Sequence, residues 1–102
     1  MGPFGQTVAH GFLTLSLVAP LWYEVLEVSG VSAGINYGLD RVRFPSPVPS
    51  GAEIRLVATV QRVAVSSAYT EVAVEMVVES SGSTKPACVA STLFRYYREE
   101  DR

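Results

Sequence analysis

The sequence predicts an α+β domain in which one long apolar helix precedes four long antiparallel strands. Three observations carry the prediction. Residues 8–28 are apolar on nearly every side, with Pro20 as the only break. From residue 33 onward the apolar residues recur with period two instead of 3.6, which is the pattern of strands. The segments with that pattern are about ten residues long and are divided by clusters of Pro, Gly and Ser, so helix comes first and sheet after.

Val8, Phe12, Leu13, Leu15, Leu17, Val18, Leu21, Trp22, Val25 and Leu26 leave the helix almost no polar face, so it is expected to be buried. Pro20 removes one backbone hydrogen bond and should kink it. Ser29 and Gly30 end it. Strand one is predicted over residues 33–44, with Ile35, Tyr37 and Leu39 on one face and Asn36, Gly38 and Asp40 on the other. It stops at PSPVPSG, whose prolines cannot sit in a central strand. Strand two begins near Glu53. Its Ile54, Leu56, Ala58 and Val60 alternate with polar residues until the apolar phase slips by one at Val63 and Val65, which predicts a bulge at residues 61–62. Strand three, TEVAVEMVVE, sets Val72, Val74, Met76 and Val78 against Glu71, Glu75 and Glu79. Gly82 turns the chain into strand four, PACVASTLFRYY, and REEDR reads as a frayed tail. The expected core is Phe12, Leu15, Val18, Trp22, Val72, Val74, Met76, Cys88 and Phe94, with Trp22 mostly buried. A bare edge at strand one would invite pairing, so a homodimer or higher homo-oligomer is expected.

A chain of 102 residues fits one domain. With 48% hydrophobic and 18% charged residues and a net charge of -2, it reads as an ordinary globular protein and not as a nucleic-acid binder. Arg41 and Arg43 are the densest basic pair before the tail, and alternation places both on one strand face, expected to be solvated, with a small anionic site as the alternative. The single Cys88 excludes an internal disulfide and a thiolate zinc site. Set among small apolar residues in PACVAS, it reads as a buried structural thiol suited to a reducing cytoplasm. The apolar run over residues 11–23 is shorter than the ~20 residues of a membrane span and contains Pro20, so no membrane association is expected. No metal and no cofactor is indicated.

The blocks GPFGQTVAHGFLTLSL, GINYGLDRVRFPSPVPSGAEI and KPACVASTLFRYY, in this order, resemble the MaoC-like dehydratases, a hot-dog family that includes the (R)-specific enoyl-CoA hydratases. The resemblance covers nearly the whole chain and implies a single hot-dog domain over residues 1–102. It implies a curved antiparallel sheet around a central helix, dimerised so that an acyl-thioester tunnel lies between subunits. The implied substrate is an acyl-CoA or acyl-carrier-protein thioester. The family's Asp and His, spaced D-x-x-x-x-H, stand upstream of the G-P-F-G block, and this sequence begins at Met1-Gly2-Pro3-Phe4. The first strand and the dyad are therefore expected to be missing and hydration by this chain to be absent or weak. The alternatives are a non-catalytic module for acyl-CoA or a small apolar ligand, or a partner subunit of a complete MaoC-like protein.

By the same resemblance His10 matches the histidine of the A-H-G block and not that of the dyad. A helix N-terminus disfavours the imidazolium, so His10 is expected to be neutral and to act through orientation or packing. The backbone N–H of Gly11 corresponds to the family's donor to the thioester carbonyl. That role requires a helix capped at Val8 or later, because a Thr7 cap would spend this N–H inside the helix. Equally, Gly11 is small because Phe4 or the sheet packs closely on it; both readings stand. Ala19 occupies a position where the family often has serine. Phe12, Ala19, Asn36, Tyr37 and Gly38 are the expected substrate-contacting residues. Asp40, beside Arg41 and Arg43, is expected in a surface ion pair and not as a replacement carboxylate.

Overall fold

The computed structural model describes residues 8–9, 11–29 and 31–98. In chain order the elements are β1 (Val8–Ala9), α1 (Gly11–Ser16), α2 (Val18–Val25), β2 (Val31–Arg43), β3 (Val48–Pro49), β4 (Ile54–Val65), β5 (Tyr69–Ser80) and β6 (Cys88–Arg98). The four long strands form one antiparallel sheet in the order β2-β6-β5-β4, and β1 pairs with β3 apart from it. The helices lie on one face of that sheet.

Alternation in β5 and β6 decides which face. Val74, Met76 and Val78 pair with Thr92, Ala90 and Cys88, and all six side chains are buried. Above them sit Thr14, Val18 and Trp22, spaced i, i+4, i+8 and therefore aligned down one side of the helices. Phe12 is two residues, about 200°, from Thr14 on that wheel, and it is 76% exposed, so the expectation of Phe12 in the core is corrected. Leu15 and Val72 are half-buried and pack against the core; the other expected core residues are buried.

The single helix expected over residues 8–28 is also corrected. Its first two residues instead extend the chain, because Val8 pairs with Pro49 and Ala9 with Val48. A one-residue break at Leu17 then divides α1 from α2. The break follows from Pro20. With the preceding turn opened at Leu17, Pro20 falls at the third position of α2, where no helical acceptor awaits its missing N–H, and the first bond of α2 runs from Leu21 N–H to the Leu17 carbonyl at 3.1 Å. Leu17 N–H tightens onto Thr14 O at 3.2 Å, and Ser16 Oγ donates to the Leu13 carbonyl at 2.6 Å. Leu17 keeps right-handed helical angles (φ -80, ψ -11), so the two pieces continue one path as a broken helix. The helix ends at Val25, where Leu26 turns extended at φ -137 and ψ 128.

The bulge expected in strand two is present between Val60 and Arg62 of β4. β2 carries a register shift at its start, between Val31 and Ala33, and two bulges further along. Asn36 faces Phe94 while Gly38 faces Leu93, which leaves Tyr37 as an extra residue; likewise Asp40 faces Ser91 and Arg43 faces Val89 across a second shift. At the second, Arg41 takes φ 52 in the left-handed region. The expectation that Leu39 shares a face with Ile35 and Tyr37 is therefore corrected: past the first bulge the phase reverses and Leu39 lies opposite the buried Thr92. Regular alternation between Arg41 and Arg43 is broken in the same way.

Two buried acids sit in this core. Burial pushes the Cys88 thiol above its ordinary 9.0, and burial pushes the Tyr96 phenol above 10.0 against the opposing effect of its bond from Trp22. A raised folded-state pKa stabilises fully below the unfolded value and is lost as pH climbs through the folded one. Urea midpoints should therefore be flat in these two contributions up to about pH 9 and fall above it, and Cys88→Ala should remove the earlier part of that decline.

Candidate functional site

A cleft of about 350 Å³ opens between the broken helix and the β2–β6 side of the sheet. Leu15, Ser16, Val18 and Ala19 form its helical wall; Asn36, Gly38, Leu39, Thr92, Leu93 and Phe94 form its floor. Its surface is mostly apolar, and no lining side chain is titratable. Of the three polar side chains, Ser16 donates to Leu13 O and Thr92 Oγ1 donates to Val74 O at 3.1 Å. The Asn36 carboxamide makes no hydrogen bond among the described residues, so it is the polar group left to meet a ligand. A chamber of this kind, apolar with one polar group left unused, suits an acyl chain.

Ala19, Asn36 and Gly38 come together in this cleft. Phe12 and Tyr37 do not line it. The Phe12 ring meets Phe44 edge-on with centroids 6.2 Å apart, and the Tyr37 ring lies on the other face of the sheet, 3.5 Å from the guanidinium carbon of Arg95. Asp40 opposes Ser91 on that same outer face and makes no ion pair among the described residues, which corrects the expectation of a pair with Arg41 or Arg43. His10 and Thr7 lie outside the described residues.

Gly11 opens α1, where a first-turn N–H has no intrahelical acceptor, so the late helix start that a carbonyl-binding role requires is met. The close-packing reading finds a partner too. A β-carbon on Gly11 would fall 2.8 Å from Cγ and Cδ2 of Phe44. Sequence reasoning missed Leu39, Thr92 and Phe44 as residues of this region. Leu39 and Thr92 reach the cleft only through strand pairing, and Phe44 approaches Gly11 only once β2 has run its length.

A larger depression of about 540 Å³ lies at the other end of β4 and β5, lined by Glu53, Arg55, Glu79, Ser83 and Lys85 among others. There Arg55 pairs with Glu79 and Ser83 Oγ exchanges hydrogen bonds with the Lys85 backbone, while the buried Ser80 Oγ has no hydrogen-bond partner among the described residues. Among the described residues no cluster of His, Cys, Asp and Glu could hold a metal ion, and no helix is long and apolar enough to cross a membrane.

The family described as MaoC like domain matches residues 1–82. The chain belongs to the MaoC-like family. Among its relatives, 3-hydroxyacyl-thioester dehydratase Z of Mycobacterium tuberculosis is 46% identical over 96 residues, covering 93% of this chain and 64% of that protein. Nodulation protein N of Rhizobium meliloti is 40% identical over 97 residues, covering 87% of this chain and 56% of that protein. The MaoC-like chain thus spans less than two thirds of the length of either relative. Among solved structures, the monoamine oxidase regulatory protein from Archaeoglobus fulgius superimposes with a TM-score of 0.76 at 23% identity, covering 97% of this chain and 66% of that one. The MaoC-like dehydratase from Rhodospirillum rubrum superimposes with a TM-score of 0.72 at 16% identity, covering 98% and 68%. At these identities the likeness is one of fold, and it is the hot-dog fold expected from the sequence.

Proposed function

We propose that this MaoC-like chain supplies the acyl-holding part of a hydratase or dehydratase acting on acyl-CoA or acyl-carrier-protein thioesters. The observation that carries the reading is the apolar cleft between broken helix and sheet, with Asn36 as its one unspent polar side chain. The acyl chain lies along Leu15, Val18, Ala19 and Leu39, and the thioester carbonyl is held toward the open start of α1, where the Gly11 N–H donates a hydrogen bond to its oxygen. In hydration, water oxygen bonds to C3 of the enoyl thioester, the C2–C3 π pair moves toward the carbonyl oxygen, and a proton then arrives at C2. The N–H stabilises the charge on that oxygen, while the proton transfers require groups beyond the cleft lining, which contains no titratable side chain.

The shape supports association as part of this function. The described chain is elongated, with a radius of gyration of 15.9 Å against roughly 13 Å for a compact chain of this length. Apolar side chains stand open along both edges of the sheet, among them Leu39 at 49% and Val65 at 73% exposure. A homodimer would cover part of this surface, and light scattering at micromolar concentration should show at least two copies.

Calorimetric titration with a medium-chain trans-2-enoyl-CoA tests the site. Binding is expected, with Ala19→Trp weakening it by roughly tenfold or more through overfilling of the cleft. Asp40→Asn should leave it unchanged, since Asp40 faces away. An ultraviolet assay for loss of the conjugated thioester should show turnover near background unless acid and base groups are supplied. Absence of binding, or equal binding by Ala19→Trp, would overturn the assignment.

A further inference from the structure

We infer that Tyr37 and Arg95 are positioning residues for the acyl cleft: a stack on the opposite face of the sheet holds the β2 bulge whose phase reversal carries Leu39 in beside Asn36. The inference rests on the reading of the cleft as an acyl site. Its first part is register. Between Asn36 opposite Phe94 and Gly38 opposite Leu93, β2 spends two steps where β6 spends one, and Tyr37 is the residue added. Without that residue Leu39 would point to the side of Ile35, and the cleft would lose part of its floor.

The second part is why this needs holding. Among the described residues β2 is an edge strand bonded only to β6, and it carries Gly34 and Gly38; register is weakly fixed in a glycine-containing strand with one side unpaired. The extra residue is gripped from the outer face. The Arg95 guanidinium lies 3.5 Å from the Tyr37 ring centroid and 4.3 Å from that of Tyr69, so it is held between two rings. Arg95 Nε donates to Glu71 Oε1 at 2.9 Å, and Glu71 Oε2 stands 3.8 Å from Arg62 on β4. The stack therefore links β2 through β6 and β5 to β4. A flat, delocalised guanidinium can face two rings while donating in its own plane, which an ammonium cannot do.

The test uses the full chain with two readouts. One is the through-space nuclear Overhauser contact between the Leu39 and Thr92 methyl groups, which needs no ligand. The other is the affinity for a ten-carbon against a four-carbon acyl-CoA. Tyr37→Phe keeps the ring and should keep both. Tyr37→Ala and Arg95→Met should lose the methyl contact and weaken the long-chain ligand by roughly tenfold with little change for the short one. Arg95→Lys, which preserves charge, should shift both readouts in the same direction and is the variant to read where the larger truncations unfold. Arg55→Ala, which removes an Arg–Glu pair elsewhere on β4 and β5, should leave both unchanged. Persistence of the Leu39–Thr92 contact in Arg95→Lys and the truncations overturns the inference whatever binds. A parent chain that binds neither ligand overturns the acyl reading, while the methyl contact still decides the clamp.

Discussion

Replacing Trp22 by alanine is expected to lower the unfolding free energy by about 3–5 kcal/mol, the usual cost of deleting a large buried aromatic. Domains of this size hold roughly 5–15 kcal/mol in all, so the variant should sit near the limit of folding. The expectation rests on three contacts made by one side chain. Trp22 is 3% exposed, it stacks on Phe94 at 5.4 Å with an interplanar angle of 8°, and its Nε1–H donates to the Tyr96 hydroxyl at 2.8 Å. The hydrogen bond is separable from the packing. Trp22→Phe keeps much of the ring but strands the buried Tyr96 hydroxyl, and Tyr96→Phe strands the indole N–H, so each should cost about 1–3 kcal/mol. The double variant Trp22→Phe/Tyr96→Phe leaves neither group unpaired and should cost less than the sum. Urea unfolding followed by circular dichroism gives all four corners of the cycle. A Trp22→Ala loss below about 1 kcal/mol would mean the helix is not anchored to the sheet here.

How much of this was legible in the sequence depended on whether the deciding contact was local. The β4 bulge could be read because its residues record it: Val60 and Val63 are both apolar and the alternation between them slips by one. The β2 bulge could not. Ile35, Tyr37 and Leu39 alternate without fault, and the phase is set by β6, where Leu93 and Phe94 are adjacent and apolar and so give no preference for either face. Pro20 announced a disturbed helix, but the break fell three residues earlier, because the cheapest place for a missing N–H is the first turn of a new helix. Val8 and Ala9 were assigned to the helix on hydrophobicity alone. Their strand pairing with Val48 and Pro49 requires the proline-rich turn to fold back across about forty residues of chain, a contact no local pattern encodes. The site divided in the same way: Ala19, Asn36 and Gly38 came from the sequence and meet in the cleft, whereas Tyr37 stands behind the floor it was expected to line.

Gly11→Ala should separate the two roles offered for that glycine. A β-carbon there would lie 2.8 Å from Cγ and Cδ2 of Phe44, near the root of the ring and not at a mobile tip, so the helix start or the ring must move. Overpacking of this kind typically costs about 1–3 kcal/mol. The same displacement shifts the Gly11 N–H, one of the first-turn donors of α1, and losing such a donor typically costs 10²- to 10³-fold in turnover where turnover occurs. Binding alone can report on the donor. A hydrogen bond to the carbonyl of a trans-2-enoyl thioester draws charge through the conjugated system and moves its ultraviolet band to longer wavelength. The parent chain should therefore red-shift bound enoyl-CoA, and Gly11→Ala should bind with the shift reduced or lost. Adding Phe44→Ala to Gly11→Ala restores room for the methyl group. If Gly11 serves as a carbonyl donor whose place Phe44 constrains, the double variant recovers the shift along with stability. If Gly11 is small only to admit Phe44, stability responds to both substitutions while the spectrum of the bound thioester is the same in the parent and in Gly11→Ala, and the carbonyl-binding role is refuted.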